Sequence, residues 1–541
     1  MNYIKNPVLT GFNPDPSMIR VGDDYYIATS TFEWFPGVQI HHSRNLSDWE
    51  LLTRPLERVS QLDMSGEKGS RGVWAPCLSY WGGIFYLIYS DVKNSGTFYD
   101  VHNYLVTADD IKGPWSEPVY LNSSGFDPSL FHDDDGRKWL VNMNFDYRTW
   151  KNRFAGIVLQ EYSEKERKLV GEPKLIFEGT SNRTTEGAHI YKKDGFYYLL
   201  CAEGGTAYNH CEITARSRNL EGPYELSPFN PLITSLPYPH IRLQKAGHAS
   251  MAEGKDGKWY LAHLCGRPVG EDRCCILGRE TAIQEVVWEN GWPRLKNGTN
   301  EPEEVLEGEE EAGAESVCGG KSFAAGTSPY AGSWRDDFDG PEWNINFQSL
   351  RIPLGRRASL DERPGWLRLY GKESLESCYK QTLLAGRQQH FYVQADTKLE
   401  SAPVSYQQTA GLVYYYDTYS YYYVCVTRDE MKGRVLTVMN KVLNQFTMPV
   451  GAGIKLPEQG PVYLRLVTSK ERAQFWYSAD GEEFLKIGPE LDAAVLSDDY
   501  YSRIGEMRFT GAFIGICCQD IAGKHGYADF DYFSYEVMGR E

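Results

Sequence analysis

Five similar phrases recur along the first half of the chain, and in each a polar turn rich in Asp and Gly leads into a run of aromatic and aliphatic residues. The phrases are "GDDYYIA", "GGIFYLI", "DGRKWLV", "DGFYYLL" and "DGKWYLA". Such a run after a tight turn predicts the second strand of a β-hairpin. One aromatic residue marks the same register in each copy, at spacings of 60, 53, 59 and 62 residues: Tyr26, Tyr86, Trp139, Tyr198 and Tyr260. A repeat of about 50 residues predicts one four-stranded blade per copy, and thus a β-propeller.

The residue eleven or twelve positions before each aromatic mark is predicted to lie at the start of the strand that precedes the marked one. These residues are Asp15, Trp74, Asp127, Glu186 and His248. Because the first strand of every blade lines the central axis of a propeller, we expect the five side chains to converge on one point. Three of them are carboxylic acids, which repel one another when grouped, so that their pKa values separate. This predicts chemistry that needs an ionised base beside a protonated acid, with glycoside hydrolysis the leading candidate.

The repeat ends at about residue 295. Residues 296–333 are acidic and rich in small residues, which predicts a linker or surface crossing. From 334 onwards, alternating strands without the repeated phrase predict a β-sandwich. The predicted architecture is therefore all-β, with a catalytic propeller over 1–295, the acidic segment over 296–333 and a sandwich over 334–541.

Composition restricts the partners and the compartment. The net charge of -17 argues against nucleic acid, which binds to basic surfaces. Eleven cysteines without framework spacing indicate thiols in a reducing cytosol. The first residues, "MNYIKNPVLTGFNPDP", contain no apolar core of a secretion signal, and no apolar run reaches membrane-spanning length. We therefore expect a cytoplasmic protein without a membrane partner.

An ordered set of motifs carries a resemblance to a known family. The motifs are "NPDPS", "GVWAP", "FDPSLF", "TEGAHIY", "KAGHAS" and "GRETAIQ", and "STFEWFPGVQIHHSRNL" and "ADFDYFSY" extend the likeness over nearly the whole chain. Together they resemble glycoside hydrolase family 43, specifically its two-domain β-xylosidases. The resemblance implies a five-bladed propeller followed by a concanavalin-like sandwich. It also implies an inverting, exo-acting β-1,4-xylosidase that releases D-xylose from the non-reducing end of xylobiose and short xylo-oligosaccharides.

The same resemblance implies roles for individual residues. Asp15 is expected to be the general base, Glu186 the general acid, and Asp127 the residue that positions the acid and keeps its pKa raised. Around the terminal xylose, it implies that Phe32 and Trp74 form apolar walls and that Arg279 donates hydrogen bonds to the hydroxyls. It implies further that Phe145 forms the wall beyond that sugar and that Phe509 closes the pocket from the second domain.

His248 has two interpretations. It is expected either to hydrogen-bond to the carboxylates or to ligate a metal, since the resemblance includes relatives with calcium near such a histidine. Ca²⁺ prefers about six to eight oxygen ligands, so a structural or electrostatic role is favoured. No cofactor is expected to be required, although Ca²⁺ is retained as an alternative. The family resemblance also implies a homo-oligomer, either a dimer or a tetramer.

Three alternatives stay open from the sequence. The chain could be an α-L-arabinofuranosidase, or an enzyme with both activities, because an arabinofuranoside presents similar hydroxyl geometry. It could be a non-catalytic sugar-binding propeller, although such a site gains nothing from three carboxyl groups that compete for protons. It could also be a fructosidase-like or sialidase-like propeller; the fructosidases retain configuration through a nucleophilic Asp.

Overall fold

The computed structural model describes residues 3–308 and 332–539, which divide into two compact units. Among these residues, the first unit holds 3–67, 71–267 and 279–308, and the second holds 68–70, 268–278 and 332–539. Regular structure in the described part is β, apart from the α-helix Asp498–Arg503 and two 3-10 turns, Gly355–Arg357 and Ala493–Val495. Within these ranges, no helix combines the length and the apolarity that a membrane crossing needs.

The first unit contains five antiparallel sheets, one for each copy of the repeated phrase. Blade 1 consists of Ser17–Val21, Asp24–Thr29, Gln39–Ser43 and Glu50–Thr53. In blade 2 the inner strand is divided into Gly72–Val73 and Cys77–Trp81, which both pair with the second strand, Ile84–Ser95; the third and fourth strands are Tyr99–Ala108 and Val119–Asn122. Blade 3 consists of Ser129–His132, Lys138–Phe145, Phe154–Ser163 and Lys168–Phe177. The short strand Trp34–Phe35 lies between the second and third strands of blade 1.

Blades 4 and 5 complete the set. Blade 4 consists of Glu186–Lys193, Phe196–Glu203, Cys211–Ser217, Glu225–Leu226 and Ile233–Thr234. Blade 5 consists of Gln244–Glu253, Trp259–Gly266, Glu280–Glu289 and Trp292–Leu295. The inner strands of neighbouring blades contact each other around the whole ring, including blade 5 against blade 1. The predicted five-bladed propeller is confirmed.

The aromatic register marks explain why the phrase repeats. Each mark lies on the second strand of its blade, opposite a residue of the inner strand; Tyr26 faces Ile19, for example. Tyr26 packs in the core between blades 1 and 2, and Tyr86 packs in the core between blades 2 and 3. Tyr260 belongs to the core between blades 5 and 1. In blades 1, 2 and 5 the marked ring therefore fills the space between its own blade and a neighbouring blade.

The two ends of the propeller chain meet at a seam. Tyr3–Lys5 pairs with Val305–Glu307, and the backbone N–H of Leu9 donates to the carbonyl of Thr281 at 3.1 Å. The strand Val305–Glu307 falls within the segment predicted as an acidic linker, so the start of that segment belongs to the propeller. Residues 309–331, which make up most of the predicted linker, lie outside the described residues.

The second unit is the predicted β-sandwich, which is confirmed. One sheet runs Ala358–Ser359, Leu367–Tyr370, Tyr527–Val537, Tyr392–Ser401, Val462–Ser469, Arg472–Ser478 and Leu485–Asp492, with Trp334–Asp336 beside Tyr527–Val537. The other runs Leu383–Arg387, Phe513–Asp520, Gln408–Asp417, Ser420–Asp429, Gly433–Val442 and Gln445–Thr447, with Ile454–Lys455 beside Gly433–Val442. Ser349–Leu350 is a further short strand. Apolar side chains of both sheets form one shared core.

Candidate active site

Three carboxyl groups stand where the inner strands of blades 1, 3 and 4 begin. Asp15 and Asp127 each lie two residues before an inner strand, and Glu186 is the first residue of its strand. All three side chains are buried. They lie near enough to one another that the charge of Asp15 raises the pKa of both Asp127 and Glu186. The propeller thus brings together the three acids that the repeat singled out.

The backbone aims these side chains through an unusual conformation. Asp15, Asp127 and His248 have φ values of 57°, 52° and 50°, which lie in the left-handed region. That conformation costs about 1–2 kcal/mol for a residue other than glycine, and it concentrates at functional sites. Because the three residues occupy the same register position in three blades, the repeat uses one kink to direct a side chain from each.

Asp15 has the environment of an ionised carboxylate. The Ser30 hydroxyl donates to Oδ2 at 2.5 Å, and Arg279 Nη1 donates to Oδ1 at 2.9 Å. His248 Nδ1 lies 3.6 Å from Oδ1. Burial raises the pKa of Asp15, but Arg279, His248 and the hydrogen bond from Ser30 together lower it below its ordinary value. Asp15 is therefore ionised at neutral pH.

Glu186 and Asp127 differ from Asp15 because their pKa values are raised rather than lowered. Burial first, and then the charge of Asp15, raise the pKa of Glu186 to about 8, against the opposing charge of Arg279. Burial also raises the pKa of Asp127 well above its ordinary value, with further contributions from the charges of Glu186 and Asp15. The Asp127 carboxyl accepts a hydrogen bond from the backbone N–H of Gly187, so it holds the segment that carries Glu186. One pocket thus contains an ionised Asp15 and a protonated Glu186.

Gly187 fits closely against His248. Its φ is 60°, and a Cβ at this position would meet the imidazole Cδ2 and Nε2 at 3.0 Å. The absence of a side chain therefore lets the ring pack directly beside Glu186. Burial lowers the pKa of His248, with Arg279 acting in the same direction and Asp15 opposing, so that the imidazole is neutral at pH 7.

A metal role for His248 finds no support in its surroundings. Its charged neighbours, Asp15 and Arg279, provide one carboxylate and one cation rather than the set of about six to eight oxygens that Ca²⁺ prefers. Over residues 3–308 and 332–539, no three His, Cys, Asp or Glu side chains are arranged to hold a metal ion. The Ca²⁺ alternative stays a prediction.

Aromatic rings continue from the carboxyl groups. The guanidinium of Arg279 lies 5.4 Å from the centre of the Phe32 ring, and that ring lies 6.2 Å from the centre of Trp74. Trp74 contacts Tyr99 edge to face at 6.1 Å, and Tyr99 stacks on Phe145 at 4.3 Å. A chain of contacts thus joins Arg279, Phe32, Trp74 and Phe145 to the carboxyl groups. Their contacts with a sugar stay predictions.

Phe509 belongs to the second unit. Its backbone N–H donates to the hydroxyl of Ser70, which lies in the same unit, at 3.0 Å. Its predicted role in closing the sugar pocket stays a prediction.

Two buried polar residues of blade 4 support His248 and had no signal in the sequence. Glu212 Oε2 accepts the N–H of Ala249 at 3.0 Å, and the same carboxyl accepts the N–H of His248. His210 Nδ1 lies 3.0 Å from the carbonyl oxygen of Lys245. These contacts surround the two shifts of register in the inner strand of blade 5, where the chain bulges to present His248. Glu212 and His210 belong to no motif that would single them out, and neither opens an inner strand.

Comparison with known proteins agrees with this architecture. Residues 4–293 match the model of a family described as Glycosyl hydrolases family 43, and residues 335–536 match a Beta xylosidase C-terminal Concanavalin A-like domain. A Beta-xylosidase of Bacillus subtilis is 49% identical, covering 98% of this chain and 99% of its own length. A Xylosidase/arabinosidase 43B of Humicola insolens is 48% identical, covering 99% and 98%.

Solved structures agree as well. The crystal structure of a xylan beta-1,4-xylosidase from Bacillus halodurans C-125 superposes with a TM-score of 0.93 at 52% identity. That superposition covers 98% of this chain and all of the other.

Proposed function

Since the chain belongs to glycosyl hydrolases family 43, whose members invert the anomeric configuration, we propose that it is an exo-acting β-1,4-xylosidase. It releases D-xylose from the non-reducing end of xylobiose and short xylo-oligosaccharides. One observation carries this proposal: an ionised Asp15 and a protonated Glu186 share one buried pocket. Names of similar proteins, such as the Beta-xylosidase of Bacillus subtilis, support the choice of sugar.

The mechanism follows from these two protonation states. Asp15 takes a proton from a water molecule that attacks the anomeric carbon opposite the leaving group. Glu186 gives its proton to the glycosidic oxygen as the bond to the anomeric carbon breaks. An inverting enzyme separates the two carboxyl groups by about 6.5–9.5 Å to admit this water. Asp127 holds the backbone after Glu186, and Arg279 keeps Asp15 ionised by its positive charge.

Proton NMR of the first-formed sugar tests the stereochemistry. A β-xyloside is expected to yield α-xylose first, which then mutarotates. If β-xylose forms first, the inverting mechanism is wrong, and a nucleophilic carboxylate of the fructosidase kind is required.

A second activity has specific support. The relative from Humicola insolens bears the name Xylosidase/arabinosidase 43B, so α-L-arabinofuranosidase activity of the same site is the second candidate. Comparing kcat/KM on 4-nitrophenyl β-D-xylopyranoside and 4-nitrophenyl α-L-arabinofuranoside ranks the two. Cytoplasmic location, a homo-oligomeric state and activity without an added metal are further parts of this proposal, and each rests on sequence alone.

The pH dependence of kcat/KM is expected to follow the two carboxyl groups. Activity needs Glu186 protonated, so the rate falls as the pH rises through about 8, where Glu186 loses its proton. Activity also needs Asp15 ionised, and because its pKa is lowered, the acid limb lies below the ordinary aspartate range. The measured limbs belong to the coupled group of carboxyls. A rate that keeps rising above pH 8 would contradict the assignment of Glu186.

Glu212 is expected to act by positioning His248. Glu212→Leu removes the acceptor for the N–H groups of His248 and Ala249, and we expect kcat to fall by about 10²-fold with little change in KM. The acid limb of the pH profile should also move to higher pH, because His248 helps to lower the pKa of Asp15.

Glu212→Gln is the matched control. Burial raises the pKa of Glu212 well above its ordinary value, which favours the neutral acid, and glutamine keeps the shape of that acid and an acceptor oxygen. Its kcat and pH profile should stay close to those of the wild type. If kcat fell equally in both variants, or fell in Glu212→Leu without a shift of the acid limb of the pH profile, Glu212 would contribute to stability only and would not position His248.

A further inference from the structure

Aromatic contacts lead from the carboxyl pocket through Trp74 and Tyr99 to Phe145, and exposed rings stand next to Tyr99 and Phe145 along the chain. Trp74, at the inner end, is only 8% exposed, and Tyr99 lies near enough to Glu186 that this carboxylate raises its pKa, after the larger effect of burial. Beyond the Tyr99–Phe145 stack, the rings become exposed. We call Phe98, Tyr147 and Trp150 the outer aromatic surface; they are 55%, 55% and 76% exposed.

The outer aromatic surface lies on two connections that are tied together. Phe98 is in the turn between the second and third strands of blade 2, and Tyr147 and Trp150 are in the connection between the second and third strands of blade 3. The rings of Phe98 and Tyr147 lie 4.9 Å apart. Contact between the two connections therefore spans two blades.

Arg153 joins these connections. Its Nη2 donates to the carbonyl of Gly96 at 2.7 Å, and its guanidinium lies 5.4 Å from the Tyr99 ring and 5.3 Å from the Phe145 ring. Its own carbonyl accepts the N–H of Asp146 at 2.9 Å. The exposed rings are therefore presented on an organised backbone and contribute little to the core.

We propose that the outer aromatic surface binds the xylose units on the reducing side of the cleaved linkage, in oligosaccharides of three or more units. This inference rests on the proposed xylosidase function. Aromatic faces pack on the C–H faces of pyranose rings, and xylopyranose has no hydroxymethyl group to obstruct that packing. With the terminal sugar at the carboxyl groups, the path through Trp74, Tyr99 and Phe145 leads the leaving group towards Phe98 and Tyr147.

The surroundings favour a sugar over a protein partner. The connection that carries Tyr147 also carries charged and amide side chains: Asp146 and Arg148, which pair with each other, Lys151, and Asn152, whose amide donates to the carbonyl of Phe154. These groups suit the hydroxyls of a sugar. A stable protein interface buries about 800 Å² on each side, far more than three separate rings present.

Chain-length preference tests the proposal. We expect the wild type to hydrolyse xylotetraose with a kcat/KM about three- to tenfold above that for xylobiose, the range expected from one or two ring contacts. In the double variant Phe98→Ala/Tyr147→Ala this ratio should fall to about one, and Trp150→Ala should lower it partly. Tyr120→Ala is the matched control, because Tyr120 is 51% exposed on the outer strand of blade 2 and should leave the ratio unchanged.

The outcomes separate this proposal from the proposed function. If the wild type releases no xylose from xylobiose, the function itself fails. If it does, but the ratio is the same in the wild type and the double variant, the outer aromatic surface does not bind substrate. A second copy of the chain is the other possible occupant of the outer aromatic surface, and sedimentation velocity of the wild type and the double variant tests for it. If the double variant changes the subunit number but not the ratio of kcat/KM values, the surface mediates contact between copies and the proposal is overturned.

Discussion

Replacing Glu186 by glutamine is expected to lower kcat on xylobiose by about 10³-fold, because the amide keeps the shape of the acid but has no proton to give to the leaving oxygen. The loss should depend on the leaving group. 2,4-Dinitrophenolate departs without protonation, so the same variant should lose only about tenfold on 2,4-dinitrophenyl β-D-xylopyranoside. Steady-state kinetics on the two substrates measure the contrast.

Glu225→Gln is the control for this substitution. Glu225 lies on the outer part of the same blade, exposed and paired with Arg216, so this change should alter neither rate. Equal losses of Glu186→Gln on both substrates would show that Glu186 does not protonate the leaving group.

Replacing Asp15 by asparagine is expected to have the larger effect, about 10⁴-fold on kcat for both substrates. Every substrate needs the attacking water to lose a proton, however good its leaving group, and the amide of asparagine cannot accept that proton. Asparagine tolerates the left-handed backbone at this position, so the variant should fold. The measurements are kcat on the two substrates and the thermal unfolding temperature.

Asp23→Asn, an exposed change in the first turn of the same blade, is the control for loss of one negative charge. A loss that varied with the leaving group would assign Asp15 to proton donation rather than to water activation. Turnover by Asp15→Asn near the wild-type rate would remove the general base from the mechanism.

Periodicity predicted the parts of the molecule that repeat. The spacing of the aromatic marks was sufficient to place Asp15, Asp127, Glu186 and His248 on inner strands or just before them, because equivalent positions of a closed ring face one axis. That the pKa values of these acids differ followed from grouping carboxyl groups in one place, whereas the assignment of Asp15 as the base and Glu186 as the acid came from the family resemblance. The sandwich followed from its alternating strands.

Residues that act through a single non-repeating contact could not be predicted in this way. Glu212 lies in the third strand of blade 4, and its role depends on the bulge in the inner strand of blade 5, which no sequence pattern predicts. Ser30 likewise donates to Asp15 only because two parts of blade 1 meet. Arg279 was found through its motif alone, since a single arginine is more often a surface ion pair.

The seam where blade 5 meets blade 1 determines when the folding enzyme becomes active. Arg279 and Asp15 are 264 residues apart and meet at 2.9 Å beside the backbone bond from Asn13 to the carbonyl of Arg279. While the chain is being synthesised, Asp15 is therefore present before Arg279, the cation that keeps Asp15 ionised. Catalysis begins only when the last blade docks on the first, so the onset of turnover during refolding reports circular closure rather than the folding of any one blade.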